Sequence, residues 1–187
     1  VIFVRNVTDI DDKIIHNAGH EDISWWELAS KYEKEFSKAY LDLGNLSPTI
    51  EPRATGHIPQ MLEMIQTLID KNYAYVAEGS VWFSVKSFKE YGKLSGQKID
   101  DMLVAQDPDK GKKEPHDFAL WKKAPAEHIQ RWKSPWGDGF PGWHIECSAM
   151  ATKYLGKQFD IHGGGMDLLF PHHSGEIAQS TIANGTA

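Results

Sequence analysis

The sequence predicts an α/β protein, and three observations point that way. Strand-like apolar runs alternate with helix-period stripes, apolar and charged residues stand at the ordinary globular shares of 41% and 25%, and 187 residues suffice for a sizeable core. Residues 1–7, with Ile2, Val4 and Val7, read as a strand. The acidic run Thr8-Asp9-Ile10-Asp11-Asp12 follows it directly, at the carboxyl end of a strand where open α/β sheets place their ligands. Ser24-Trp25-Trp26-Glu27 has capping-box spacing and opens a helix predicted to run to Leu43, where Gly44-Asn45 stops it. A second helix starts at Pro59, and Ile58, Met61, Leu62, Ile65, Leu68 and Ile69 form one apolar stripe that reads as core. Ala74-Tyr75-Val76 and the run from Val81 to Val85, joined through Glu78-Gly79, read as a β-hairpin.

From Lys86 to Pro115 the pattern weakens into a charged surface loop, most polar between Asp107 and Lys113, whose Lys110, Lys112 and Lys113 read as solvated or as a contact for a polyanion. Phe118-Ala119-Leu120-Trp121 returns to strand character, and the Trp-, Pro- and Gly-rich stretch from Trp132 to Pro141 reads as loop. After Gly142 a helix is predicted as far as the stop signal Gly156, then a short strand Phe159-Asp160-Ile161-His162, then a helix from Pro171.

Composition excludes several classes of function. Twenty Lys and Arg against twenty-six Asp and Glu give a net charge of −6, which argues against broad nonspecific binding to nucleic acid by this segment. No apolar run approaches the ~18 residues of a membrane span, and Val-Ile-Phe-Val-Arg lacks a signal-peptide pattern, so neither a membrane partner nor export is expected. The lone Cys147 cannot form an internal disulfide, which fits a reducing compartment, the cytoplasm. Because it opens without Met inside a strand-like run, the chain reads as a piece of a longer protein.

The chemistry concentrates near the end. Gly163-Gly164-Gly165 lets backbone approach a ligand closely, and the following Met166-Asp167 could set a carboxylate on a ribose hydroxyl, although a tight turn explains three glycines equally well. His172 and Glu176 stand four apart, one turn of a helix, a separation that one metal ion can bridge, and Cys147 could add a thiolate. Cys, His and Glu suit Zn²⁺. Spacing alone leaves open the alternative of a buried free Cys and a helix-start His with no metal.

Four segments in order carry a family resemblance: Val4-Arg5-Asn6-Val7-Thr8-Asp9-Ile10-Asp11-Asp12-Lys13-Ile14-Ile15, Glu51-Pro52-Arg53-Ala54-Thr55, the run from Pro141 to Met150, and Phe159 through Ser180. Together they resemble the cysteinyl-tRNA synthetases, a family of class I aminoacyl-tRNA synthetases. The resemblance implies a partial Rossmann-like catalytic domain, residues 1–16 and 117–187, interrupted by an α+β connective-peptide insertion, residues 17–116. It implies activation of cysteine with ATP and transfer to tRNA, with a zinc ion held by two Cys, one His and one Glu. Three of these ligands fall on Cys147, His172 and Glu176, and the other Cys lies upstream of Val1.

The resemblance also sets Thr8 and Trp143 beside the cysteine substrate, His144 and His162 near the pocket as orienting or hydrogen-bonding groups, and Gly165 and Asp167 on the segment that contacts adenosine. No stable protein partner is implied. The chain departs from the commonest family pattern at Ser174-Gly175, where Glu-Asn is frequent, and retains Glu176. The His-Ile-Gly-His and Lys-Met-Ser-Lys-Ser signatures of class I occur nowhere in it. The segment by itself is therefore expected to be inactive and to hold zinc weakly, with His173 and His144 the nearest candidates to replace the missing thiolate. The rival readings are a cysteine ligase that acylates an amino sugar, as in mycothiol synthesis, an inert zinc-binding module, and a zinc hydrolase, the last lacking an obvious carboxylate base beside the metal motif.

Overall fold

The computed structural model describes residues 1–97 and 111–185, and the chain falls into two compact units, Val1–His57 and Ile58–Ala187. In the first unit, α1 (Asp12–Glu21) and α2 (Trp25–Asp42) pack on each other. Asp11 caps α1 by accepting from the backbone N–H of Lys13 at 2.7 Å, and the predicted capping box opens α2, with Glu27 reaching back to the N–H of Ser24 at 3.0 Å. The expected strand over residues 1–7 is extended but pairs only through isolated parallel bridges, Val4 with Ile50 and Val7 with Arg53. Its partner segment contains Pro48 and Pro52, which have no N–H to donate, so a continuous ladder cannot form. The acidic run after it serves the fold: Asp11 is the cap, and buried Asp9 accepts from the N–H and hydroxyl of Thr55 at 2.9 and 2.5 Å.

The second unit combines three helices with an antiparallel sheet in the order β1-β2-β3-β4. Helix α3 (Ile58–Asp70) buries Ile58, Met61, Met64, Ile65 and Leu68, most of the predicted stripe. Strands β1 (Ala74–Ala77) and β2 (Ser80–Phe83) form the expected hairpin, turning through Glu78 and Gly79, both at positive φ (53° and 85°), as a two-residue hairpin turn requires. Strand β2 pairs with β3 (Phe118–Lys123), which pairs with β4 (Gly139–Pro141). The stretch expected to be loop thus carries a strand: Trp132 and Gly139 exchange backbone hydrogen bonds at 2.7 and 3.0 Å and start β4. The partition by sequence into 1–16 with 117–187 against 17–116 differs from these units, because β2 and β3 share one sheet across residue 116.

Helices α4 (Trp143–Leu155) and α5 (Ser174–Asn184) complete the layer, α4 packing on α3, α5 and β3. The core is filled by Trp121, Phe83, Leu120, Ile65 and Ile145. Lys71, just past α3, donates to the carbonyls of Ile182 and Ala183 at 2.6 and 3.2 Å, satisfying the open carboxyl end of α5. The segment expected to be a strand at 159–162 is irregular, with Ile161 86% exposed and no strand paired with it among the described residues. Residues 98–110, the polar centre of the expected loop, lie outside the described residues. No described helix is long and apolar enough to cross a membrane.

Asp117 anchors the chain as it enters β3. It is buried and accepts from the Val85 N–H at 3.0 Å, the Glu114 N–H at 3.2 Å and the Tyr75 hydroxyl at 2.5 Å. Asp117→Ala is expected to cost about 2–4 kcal/mol, since each donor left without its acceptor forfeits roughly 1–3 kcal/mol. A urea midpoint shifted by less than about 0.5 kcal/mol equivalent would show the network to be idle.

Candidate functional site

Two helix starts and the turn between them build the site. Gly142 caps the amino end of α4 in extended backbone (φ −71°, ψ 157°) and ties it to the sheet through its N–H to the Leu120 carbonyl at 2.9 Å. The first turns of α4 then carry Trp143, His144 and Cys147. On the other side, a kinked turn over Leu169–His173, extended at Phe170, delivers His172 and His173 into α5, with Glu176 in its first turn.

The ligand atoms of Cys147, His172 and Glu176 lie within 4.8 Å of one another, close enough for one ion with bonds of about 2.0–2.3 Å to reach all three. His172 and Glu176 are buried and Cys147 is half-buried. The Glu176 oxygens face imidazoles, Oε1 at 3.1 Å from His172 Nε2 and Oε2 at 2.6 Å from His162 Nε2. Neither contact has the alignment of a good hydrogen bond, so both buried carboxylate oxygens lack a well-directed donor. A carboxylate left open among two imidazoles and a thiol suits a cation, and the soft and borderline donor set suits Zn²⁺.

Five ionisable groups reflect this crowding. Burial pushes the Cys147 thiol well up, and the carboxylates of Glu176 and Glu146 add to it. Burial also acts to raise Glu176, but the His162 and His172 contacts outweigh it and hold the carboxyl at about 2. Burial, with His172 beside it, lowers His144 to about 3. The Glu176 contact raises His162 against its own burial. His173 is lowered, chiefly by burial.

The other residues singled out by sequence divide into groups. His144 is buried, with Nδ1 at 3.0 Å from His172 Nδ1, so it stands against His172 on the side away from Glu176. Trp143 is half-exposed, and its ring lies 4.4 Å from that of His172. His162 and Gly165 line a cleft of about 450 Å³ together with Cys147, His173 and Glu176. Asp167 follows in the single turn Met166–Leu168, its carboxylate against the bare Cα of Gly165. Thr8 belongs to the first unit, where it lines a separate cavity of about 300 Å³ and its hydroxyl accepts from Asn6 Nδ2 at 3.2 Å.

Sequence reasoning named His173 only as a stand-in for the missing thiolate, not as a partner of His162, and did not single out Gly175 as a spacer. A methyl at Gly175 would meet the His144 ring at 3.0 Å, so the glycine in the atypical Ser174-Gly175 pair is what lets α5 approach His144. Gly175→Ala is expected to weaken zinc binding about tenfold by displacing the His144 support of His172. Stability should change little, because Ala gains about 1 kcal/mol of helix propensity against the crowding. Chelator competition and thermal melting check both, and unchanged zinc affinity would show that His144 does not steady its neighbour.

The sequence matches the family described as tRNA synthetases class I (C) catalytic domain over residues 1–187. It is similar to the cysteine–tRNA ligase of Frankia casuarinae, 58% identical over 184 residues covering 98% of this chain and 35% of that protein. It is also similar to the cysteine–tRNA ligase of Micrococcus luteus, 53% identical over 204 residues covering 98% of this chain and 42% of that protein. The chain therefore spans well under half the length of these relatives, and by a match along its whole sequence it belongs to the class I (C) tRNA synthetase catalytic-domain family.

Proposed function

We propose that this chain works within an ATP-dependent ligase that activates cysteine as its adenylate and transfers the cysteinyl group to tRNA in the cytoplasm. The observation that carries the reading is the convergence of Cys147, His172 and Glu176, two of which, Cys147 and Glu176, line a cleft together with Gly163, Gly164 and Gly165. Zinc held there would supply a Lewis acid that prefers a thiolate to a hydroxyl, the distinction a cysteine site must draw against serine.

The remaining work falls to the chain's own residues. His144 holds His172 from behind, and His162 holds Glu176 from the cleft side, each limiting the ring or carboxylate to one orientation. Trp143, edging His172, offers an apolar surface to the substrate side chain. The glycine segment lets a nucleotide approach the backbone, with Asp167 as acceptor for a ribose hydroxyl.

Cysteine-dependent ATP–pyrophosphate exchange, followed by acylation of tRNA, tests the reading on the ligase that carries this chain. Exchange with cysteine and none with serine is the expected result. Exchange that prefers serine, or an aminoacyl product formed on an amino sugar and not on tRNA, would overturn it.

A further inference from the structure

Glu176 presents its two oxygens to two different donor sets. Oε1 faces His172, with Cys147 beyond, whereas Oε2 lies 2.6 Å from His162, and His173 stands next to it, the His162 and His173 rings being 4.9 Å apart. The ligand atoms of His162, His173 and Glu176 lie within 4.8 Å of one another, as those of the inner set do. Two imidazoles and one carboxylate are a donor set that Zn²⁺ uses where it keeps an open coordination position. The set is also shaped for access: Glu176 is buried, His173 half-buried and His162 exposed at the cleft. Gly164 makes room for it, since a Cβ there would sit 2.6 Å from Cε1 and Nε2 of the His173 ring.

We infer that His162, His173 and Glu176 Oε2 form a second, outer position for a divalent cation of the zinc class, with Glu176 bridging it to the inner set. The outer ion binds more weakly, because it shares one carboxylate charge with its neighbour and lies nearer to water. It fills at excess metal and occupies the mouth of the cleft beside Gly163–Gly165, so excess zinc competes with substrate there. The inference depends on the proposed metal centre only through the shared Glu176.

Titrating the 187-residue chain with Co²⁺ tests it, because cobalt reports its ligands. A thiolate gives an intense near-ultraviolet charge-transfer band, whereas histidine and carboxylate give only weak visible bands. The first equivalent is expected to build the charge-transfer band, and a second equivalent to add visible absorption without increasing it. His173→Ala should reduce the stoichiometry from two to one with the band intact. Gly164→Ala, which touches no ligand atom covalently, should weaken the second step alone. Cys147→Ser should remove the band and leave binding at the outer position. Saturation of the unmodified chain at one equivalent overturns the inference whatever the variants do, as does His173→Ala that still binds two. Two equivalents without any charge-transfer band would instead overturn Cys147 as a ligand and leave the outer position standing.

Discussion

Cys147→Ser, introduced into the ligase proposed to carry this chain, is expected to lower kcat/KM for cysteine by about 100-fold or more. Changing groups that merely orient metal ligands already costs roughly 10–100-fold, and Cys147 supplies the one thiol of the inner set. Without this sulfur the chain itself contributes only the imidazole of His172 and the carboxylate of Glu176, donors with less preference for soft partners than a thiolate. Serine is nearly isosteric and half-buried at this position, so the packing of α4 against α3 and α5 should be retained and far-ultraviolet circular dichroism unchanged. The loss should be selective. The preference for cysteine over serine, which a hydrophobic pocket alone could not sustain, should fall with it. Pyrophosphate exchange with both amino acids, measured beside zinc content, gives the answer. Activity within threefold of the parent would remove Cys147 from the site.

Much of this architecture is legible in the sequence where one physical signal dominates. The capping box at Ser24 and Glu27 and the stripe through Ile58, Met61, Ile65 and Leu68 define α2 and α3 because local hydrogen bonding and burial agree there. Helix α1 is harder to read. Its residues are mostly polar, its one fully buried side chain is Ala18, and the acidic residues that look like a ligand loop act as its cap. The same run illustrates a general ambiguity: Asp and Asn chemistry that suits a ligand equally suits a helix start.

The site separates in a similar way. His172 and Glu176 are four apart, so their meeting follows from helix geometry, but Cys147 lies on another helix, and no spacing rule brings it in. Residue chemistry offered its thiol as one possibility, the family resemblance implied it as a ligand, and its sulfur lies among the same atoms. His173 was legible only as a stand-in for the missing thiolate, and its meeting with Glu176 beside His172 was not, because adjacent residues on a regular helix point about 100° apart. The turn at Leu169–His173, extended at Phe170, directs its side chain toward the carboxylate that His172 also faces. Gly175 matters through an atom it lacks, an effect visible only once His144 is in place against it.

Gly142→Ala is expected to destabilise the chain by about 3 kcal/mol or more, the upper range for overpacking. The backbone at Gly142 is extended, a conformation any residue adopts, so the requirement for glycine is one of space. A methyl group there would overlap the carbonyl oxygen of Ala119 and lie 2.8 Å from its carbonyl carbon. Neither partner can yield cheaply. Ala119 is held in register with Trp82, and the neighbouring Leu120 and Trp121 are fully buried. The strain must therefore go into breaking the Gly142 to Leu120 hydrogen bond and lifting the start of α4, where Trp143, His144 and Cys147 sit. Stability and metal binding should fall together. Gly156→Ala at the other end of the same helix separates steric from conformational cost: Gly156 has φ 86° and ψ −169° with open space around it, so alanine there incurs only backbone strain, about 1–3 kcal/mol. Urea unfolding of both variants, with zinc retention measured alongside, is the check. Gly142→Ala within 1 kcal/mol of the parent, or milder than Gly156→Ala, would mean that the β3 to α4 junction is far less tightly packed than the Ala119 contact requires.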